Sequence, residues 1–244
     1  MEDAMQVLAR VVDEDKASQL IKELDAGYGT YKQVDKLAEI VGIRMAKELV
    51  ANYSTERLEE YAKAAHRWLS EAGDQAQTNL NAAAKIGMKP LHTKYPKAKV
   101  RDLANKFAGM EPDAVKATLG NEMPTLTMGM VDDMAEYNMD FQAKSGMGPL
   151  IVRTWSGSYG SHDTRHTDWC HDLAGTYDYN DRPPDVFVRH EGCRCTVEYY
   201  PNRKAEGRIT ALAKGEVDRE GVLWNTKPET LEKRIRNMAR KMKK

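Results

Sequence analysis

All three cysteines of the 244-residue chain, Cys170, Cys193 and Cys195, fall between Arg153 and Pro201, with four of its six histidines, His162, His166, His171 and His190. Thiolate sulfur and imidazole nitrogen are the donors that zinc takes, and here they stand in two knots, His166-x3-Cys170-His171 and His190-x2-Cys193-x-Cys195. A tetrahedral site draws two ligands from each of two such knuckles. The spacing therefore predicts zinc, about one ion per chain, held by Cys170, Cys193, Cys195 and one histidine, His190 or His166. Cys193-Arg194-Cys195 suits an extended segment, in which side chains two apart share a face and Arg194 points the other way. Three cysteines also fit a metal site better than a disulfide framework, which takes an even number.

The residues around these ligands follow a specific order. Trp169-Cys170, then Leu173-Ala174-Gly175-Thr176-Tyr177-Asp178-Tyr179, then Asp185-Val186-Phe187, Arg189-His190 and Cys193-Arg194-Cys195-Thr196-Val197-Glu198-Tyr199 make up the run. It resembles the C-terminal signature of phage head morphogenesis proteins, the Mu F-like minor capsid family. The similarity extends more weakly upstream, through LNAAAKIGMKP at 80–90 and from Val131-Asp132-Asp133 to Phe141-Gln142, Lys144, Gly146 and Ile151-x-Arg153-Thr154. The family pattern has a further cysteine where this chain has Thr167, and His166 stands one place before it. The resemblance implies a non-catalytic structural protein of the virion head, made in the host bacterial cytoplasm and present in several copies. Its partners would be the portal protein, the major capsid protein and packaged double-stranded DNA.

Two catalytic readings compete with this one. A zinc-knuckle nuclease would set a catalytic histidine and a second metal beside a structural zinc, with His162, Asp163, His166, Asp168 and His171 as candidates. A toxin carried in the head would place an effector domain after the motif, where only about forty residues follow, short for a catalytic domain. No acidic pair stands apart from the candidate ligands, and Ser156-Gly157-Ser158-Tyr159-Gly160 lacks the glycine offsets of a nucleophile elbow. Cys170 as nucleophile with His171 or His190 as base is conceivable chemistry, but three cysteines at ligand spacing favour coordination.

Positioning these residues falls to a mainly helical chain. With 41% hydrophobic and 30% charged residues and a formal net charge of zero, the composition is that of a globular protein without general attraction for nucleic acid. No apolar run approaches the roughly 20 residues of a membrane span, and the N-terminus lacks the order of a signal peptide. Apolar periodicity predicts helices over 1–24, 31–50, 54–85, 97–108, 111–119 and 124–144, with Ser54 as an N-cap and Pro112 at a helix start. The seam Leu58, Tyr61, Ala65, Trp68, Ala72, Ala76, Leu80, Ala83 marks a long rod suited to lengthwise packing, on this chain or on partners. Met128, Met130, Met134 and Met139 are expected as core filling, Asp132, Asp133 and Glu136 as a solvated face, and His66 as a residue flanking the seam.

The glycines of 145–149 mark a boundary, beyond which 150–155, 186–188 and 196–200 have strand composition. From Pro201 the chain is expected to run over the surface as an arm. The segment from Lys227 to Lys244 is a basic helix, in which Lys233, Arg234, Arg236, Arg240, Lys241, Lys243 and Lys244 are candidates for duplex phosphates, or for an acidic protein surface onto which the helix docks through Leu231, Ile235 and Met238. The expected fold class is α+β: a helical region over 1–148, a small antiparallel Cys/His module over 149–201, and an arm with a basic helix over 202–244.

Overall fold

The computed structural model describes residues 3–156, 169–217 and 229–241. It is α+β, mostly helical with a small three-stranded antiparallel sheet and a Cys/His cluster. His162, His166, Lys227, Lys243 and Lys244 lie outside the described residues.

The amphipathic start of the chain is two helices, α1 (Ala4–Ala9) and α2 (Asp15–Ala26), where periodicity predicts one. A 3-10 turn over Arg10–Asp13 separates them and buries both Val11 and Val12. Helix α3 (Tyr31–Ala51) opens on a capping box, the Thr30 side chain and Gln33 each satisfying the other's backbone. Helix α4 (Thr55–Ala84) is capped by Ser54, whose hydroxyl accepts from the Arg57 amide at 3.2 Å, and it runs unbroken through Gly73. Every residue of its seam is buried, packed against α1, α2, α3 and α6 of the same chain. The rod is thus the central post of this molecule, and that face is not open to a partner. Helix α5 (Lys97–Ala108) follows an extended connector.

Helix α6 (Pro112–Lys144) is one element where two were expected. A proline inside a helix removes one amide donor and crowds the preceding turn, which is the reason for expecting a break at Pro124. The carbonyl that this amide would have served belongs to Gly120, and Arg194 donates to it at 3.5 Å. Pro124 itself packs closely on α3: a Cβ on Gly42 would lie 2.4 Å from the Pro124 Cα. All four methionines of α6 named above are buried, as expected of core filling.

The sheet has the order β2-β1-β3, with β1 (Leu150–Thr154) in the middle, β2 (Gly175–Asp178) and β3 (Thr196–Tyr200). Register pairs Ile151 with Tyr177 and Tyr199, and Arg153 with Gly175 and Val197. The expected strand at 186–188 is a turn instead. Pro183-Pro184 lacks amide donors, and the Val186 and Val188 carbonyls that a ladder would have used accept from the Arg153 guanidinium.

The expected surface arm contains a docked helix, α7 (Arg203–Ala213), capped by the Asn202 side chain and buried through Ala205, Ile209 and Leu212. Arg208 donates to the Ala83 carbonyl at the end of α4 at 2.6 Å. The basic helix α8 (Leu231–Lys241) packs on α1, α2 and α4 through Leu231, Ile235 and Ala239. A single large core therefore takes side chains from the helical region, the sheet and both C-terminal helices. No helix among the described residues is long and apolar enough to cross a membrane.

Candidate metal centre

The three cysteines form a small core of their own, separate from the main one and flanked by Trp155 and Trp169. Cys170 comes from a single helical turn over 169–172, closed by the Leu173 amide donating to the Trp169 carbonyl. His190 and Cys193 come from a tight turn in which the Cys193 amide donates to the His190 carbonyl at 3.0 Å. Gly192 occupies the third position of that turn with φ 72, the left-handed region that a glycine enters without cost. Cys195 follows just before β3, buried like Cys193, while Arg194 points away to Glu39 of α3 at 3.1 Å. That alternation is the one expected of the Cys-Arg-Cys unit.

Cys170 Sγ lies 3.7 Å from Cys193 Sγ and 3.6 Å from Cys195 Sγ. A disulfide would need about 2.05 Å, so these are free thiols in contact. With metal–sulfur bonds of about 2.3 Å, a tetrahedron sets its sulfurs about 3.8 Å apart, close to both distances. Ligand atoms of Cys170, His190 and Cys193 all lie within 4.8 Å of one another, so these three residues can hold a metal ion. His190 Nδ1 is 2.8 Å from the Glu191 carbonyl, which can only accept, so Nδ1 carries a hydrogen and Nε2 is the nitrogen able to ligate. Cys195 joins the group through Cys170, and His166, the alternative histidine, lies outside the described residues. Contacts with Cys170 and Cys193 pull the Cys195 thiol well below the usual range, and contacts with Cys193 and Cys195 push Cys170 up.

Two arginines tie this cluster to the body. Arg153 of β1 is 2% exposed and donates to the Val186 carbonyl at 2.5 Å and to Cys170 Sγ at 3.3 Å. Arg189, next to His190, is enclosed between Asp35 of α3 and Asp132 of α6. Asp132 was expected on a solvated face and is instead 3% exposed, whereas its neighbour Asp133 is on the outside, paired with Lys99 at 2.7 Å. The spacing contained the clue. Asp132 continues the buried series Met128, Val131, Ala135, and Asp35 the series Tyr31, Val34, Ala38, and a carboxylate in a buried series needs a cation. Sequence gives no such clue to which arginine answers it.

The candidate phosphate-binding side chains of α8 divide into two sets. Arg234 is spent on Glu71 and Gln75 of α4, each at 2.8 Å, and Arg236 on Asp13 and Glu232. Lys233 points outward with a loose contact to Glu229 at 3.7 Å, and Arg240 and Lys241 are exposed.

Comparison with family models, with curated proteins and with solved structures finds no match.

Proposed function

We propose that this chain is a structural protein of a phage head, of the Mu F-like minor capsid type, in which a zinc ion staples the 169–195 loops onto a helical body. One observation carries the reading: five scattered residues of the resemblance come together, Cys170, His190, Cys193 and Cys195 in or beside the sulfur cluster and Arg189 in its anchor to α3 and α6. Zinc, when bound, would cross-link two loops that have almost no apolar core of their own. Cys170, His190 and Cys193 would hold it, with Cys195 or His166 completing the tetrahedron.

In this role the protein is not an enzyme. It acts in the virion head, beside the portal protein and the major capsid protein, and the outward cations Lys233, Arg240 and Lys241 face packaged duplex DNA without reading its sequence. Mass spectrometry of purified heads, with co-expression of portal protein and affinity capture of the tagged chain, tests the assignment. Recovery of the chain in intact heads and its capture with portal protein is the expected result. Its absence from heads, or metal-dependent nicking of plasmid DNA that disappears in His166→Ala, would overturn it.

A further inference from the structure

Arg153 occupies the middle strand of the sheet at the point where both knuckles converge. Its Nη1 donates to the carbonyls of Val186 and Val188, at 2.5 and 3.2 Å. Its Nη2 donates to Cys170 Sγ at 3.3 Å and stands 3.9 Å from Cys193 Sγ, and its guanidinium carbon lies 5.8 Å from the centre of the Trp169 ring. The side chain is 2% exposed, and its Nε finds no acceptor among the described residues.

A buried cation is costly unless opposite charge meets it. Arg189, the neighbouring buried arginine, hydrogen-bonds to two carboxylates, and one of them, Asp132, also feels the charge of Arg153 without bonding to it. The hydrogen-bond partners of Arg153 among the described residues are two carbonyls and two sulfurs. Carbonyls supply dipoles but no charge, and neutral thiols are weak acceptors. Thiolates on a divalent ion are different. With Cys195 as the fourth ligand beside Cys170, Cys193 and His190, three thiolates around one such ion carry a net negative charge, which a guanidinium at hydrogen-bond distance offsets, and the donated hydrogen bond fixes the direction of the sulfur lone pairs.

We propose that Arg153 is the counter-charge and positioning residue of the metal site, donating from β1 to the Cys170 and Cys193 thiolates. The proposal rests on the reading that the cluster binds a metal. Arg153 is not a ligand; it acts through the sulfurs. Removing it should weaken the metal site and raise the electron density on the thiolates, and the two effects are measurable apart from any loss of folding.

The test uses the full chain as wild type, Arg153→Gln and Arg153→Lys. Zinc affinity is measured by competition with a chromophoric chelator, the sulfur-to-cobalt charge-transfer band is recorded after Co2+ substitution, and far-ultraviolet circular dichroism reports folding. Arg153→Gln should lose about 10- to 100-fold in zinc affinity. Its cobalt band should move to longer wavelength, because sulfurs without the donor release electrons more easily. Arg153→Lys, which keeps the charge and loses the fork, should recover part of both effects. A brace that only held the Val186 and Val188 carbonyls would reduce band amplitude in step with unfolded protein and leave its wavelength unchanged, and that outcome overturns the proposal. If Arg153→Gln does not fold, the Arg153→Lys band decides alone: an unchanged wavelength and affinity contradict the counter-charge role. A wild-type chain that binds neither Zn2+ nor Co2+ removes the metal reading itself, an outcome distinct from a wild type that binds and an Arg153 that does not matter.

Discussion

Arg189 and Asp132 meet inside the protein with only 4% of either side chain exposed, and the same guanidinium reaches Asp35 at 3.1 Å. Asp132 belongs to α6, Asp35 to α3, and Arg189 to the turn that carries His190, so one buried ion triad locks the cluster to the two helices that cross most closely. The Arg189 Nη1 also donates to the Cys195 carbonyl at 2.5 Å, and the Val197 amide donates to Asp35 at 2.9 Å. Replacing Arg189 by Met would leave two buried carboxylates facing each other. The expected loss is about 3–5 kcal/mol, read as a lower urea midpoint at unchanged slope. Arg189→Lys should also lose stability, since an ammonium cannot serve two carboxylates and a carbonyl from one planar fork. A loss below about 1 kcal/mol for Arg189→Met would contradict the triad as the anchor.

The α3–α6 crossing gives a contrast between glycines. A Cβ at Gly42 would meet the Pro124 backbone at 2.4–2.6 Å, and backbone cannot swing aside as a side chain can. Gly42→Ala should therefore destabilise by about 1–3 kcal/mol or more, as overpacking does. Gly129, in the same helix as Pro124, has nothing within 4 Å of its Cβ position. Gly129→Ala should be neutral or stabilising by up to about 1 kcal/mol, from helix propensity alone. Thermal melts of the two variants check both signs.

Helix α4 shows what periodicity can deliver. Its cap, its seam and its length are all written as local spacing, and Leu58 to Ala83 bury as that spacing requires. Pro124 shows where local rules stop, because the donor that replaces its missing amide, Arg194, lies 70 positions on and becomes a neighbour only in the folded chain. The strand β2 was hidden for a related reason. Gly175-Thr176-Tyr177-Asp178 has weak strand composition and is paired because β1 offers an edge, while the apolar 186–188 gives its carbonyls to Arg153. In the candidate site, cysteine and histidine spacing singles out Cys170, His190 and Cys193, which the fold brings into a cluster that could hold a metal ion. The charges around them were not legible, since Arg153, Arg189, Asp35 and Asp132 come from four separate stretches.

His66 supplies a pH dependence. It sits on α4 with Nε2 enclosed and without a hydrogen-bond partner among the described residues, its ring edge-on to Tyr95 at 5.9 Å. Burial lowers its pKa below the ordinary 6.5, against an opposing pull from Asp133. The unfolded chain takes up a proton near 6.5 that the folded ring resists. Its contribution to stability is therefore complete above that pH and is lost as pH falls through the lower folded value. Urea titrations at about pH 7.5 and about pH 5 should show a smaller acid-side loss in His66→Phe than in the wild type. Equal losses in the two proteins would remove His66 as a contributor.

For α8 the two sets of cations should separate by experiment. Neutralising Lys233, Arg240 and Lys241 together, as glutamines, should reduce the slope of log affinity for duplex DNA against log salt by about 2–3, with stability unchanged. Arg234→Gln should leave that slope alone and cost about 1–3 kcal/mol, because its partners Glu71 and Gln75 hold the helix to α4. An unchanged slope in the triple variant would make α8 a docking element without a DNA contact.

The metal content of the protein decides most directly between a zinc-stapled module and a bare cluster of thiols. Chain purified without chelator should contain about one zinc per molecule, with X-ray absorption showing mixed sulfur and nitrogen ligands and metal–sulfur bonds of about 2.3 Å. Cys193→Ser should lose that zinc and loosen the 169–195 loops, leaving the helices around α4 folded. Less than about a tenth of an equivalent of any transition metal in the wild-type protein would contradict the staple.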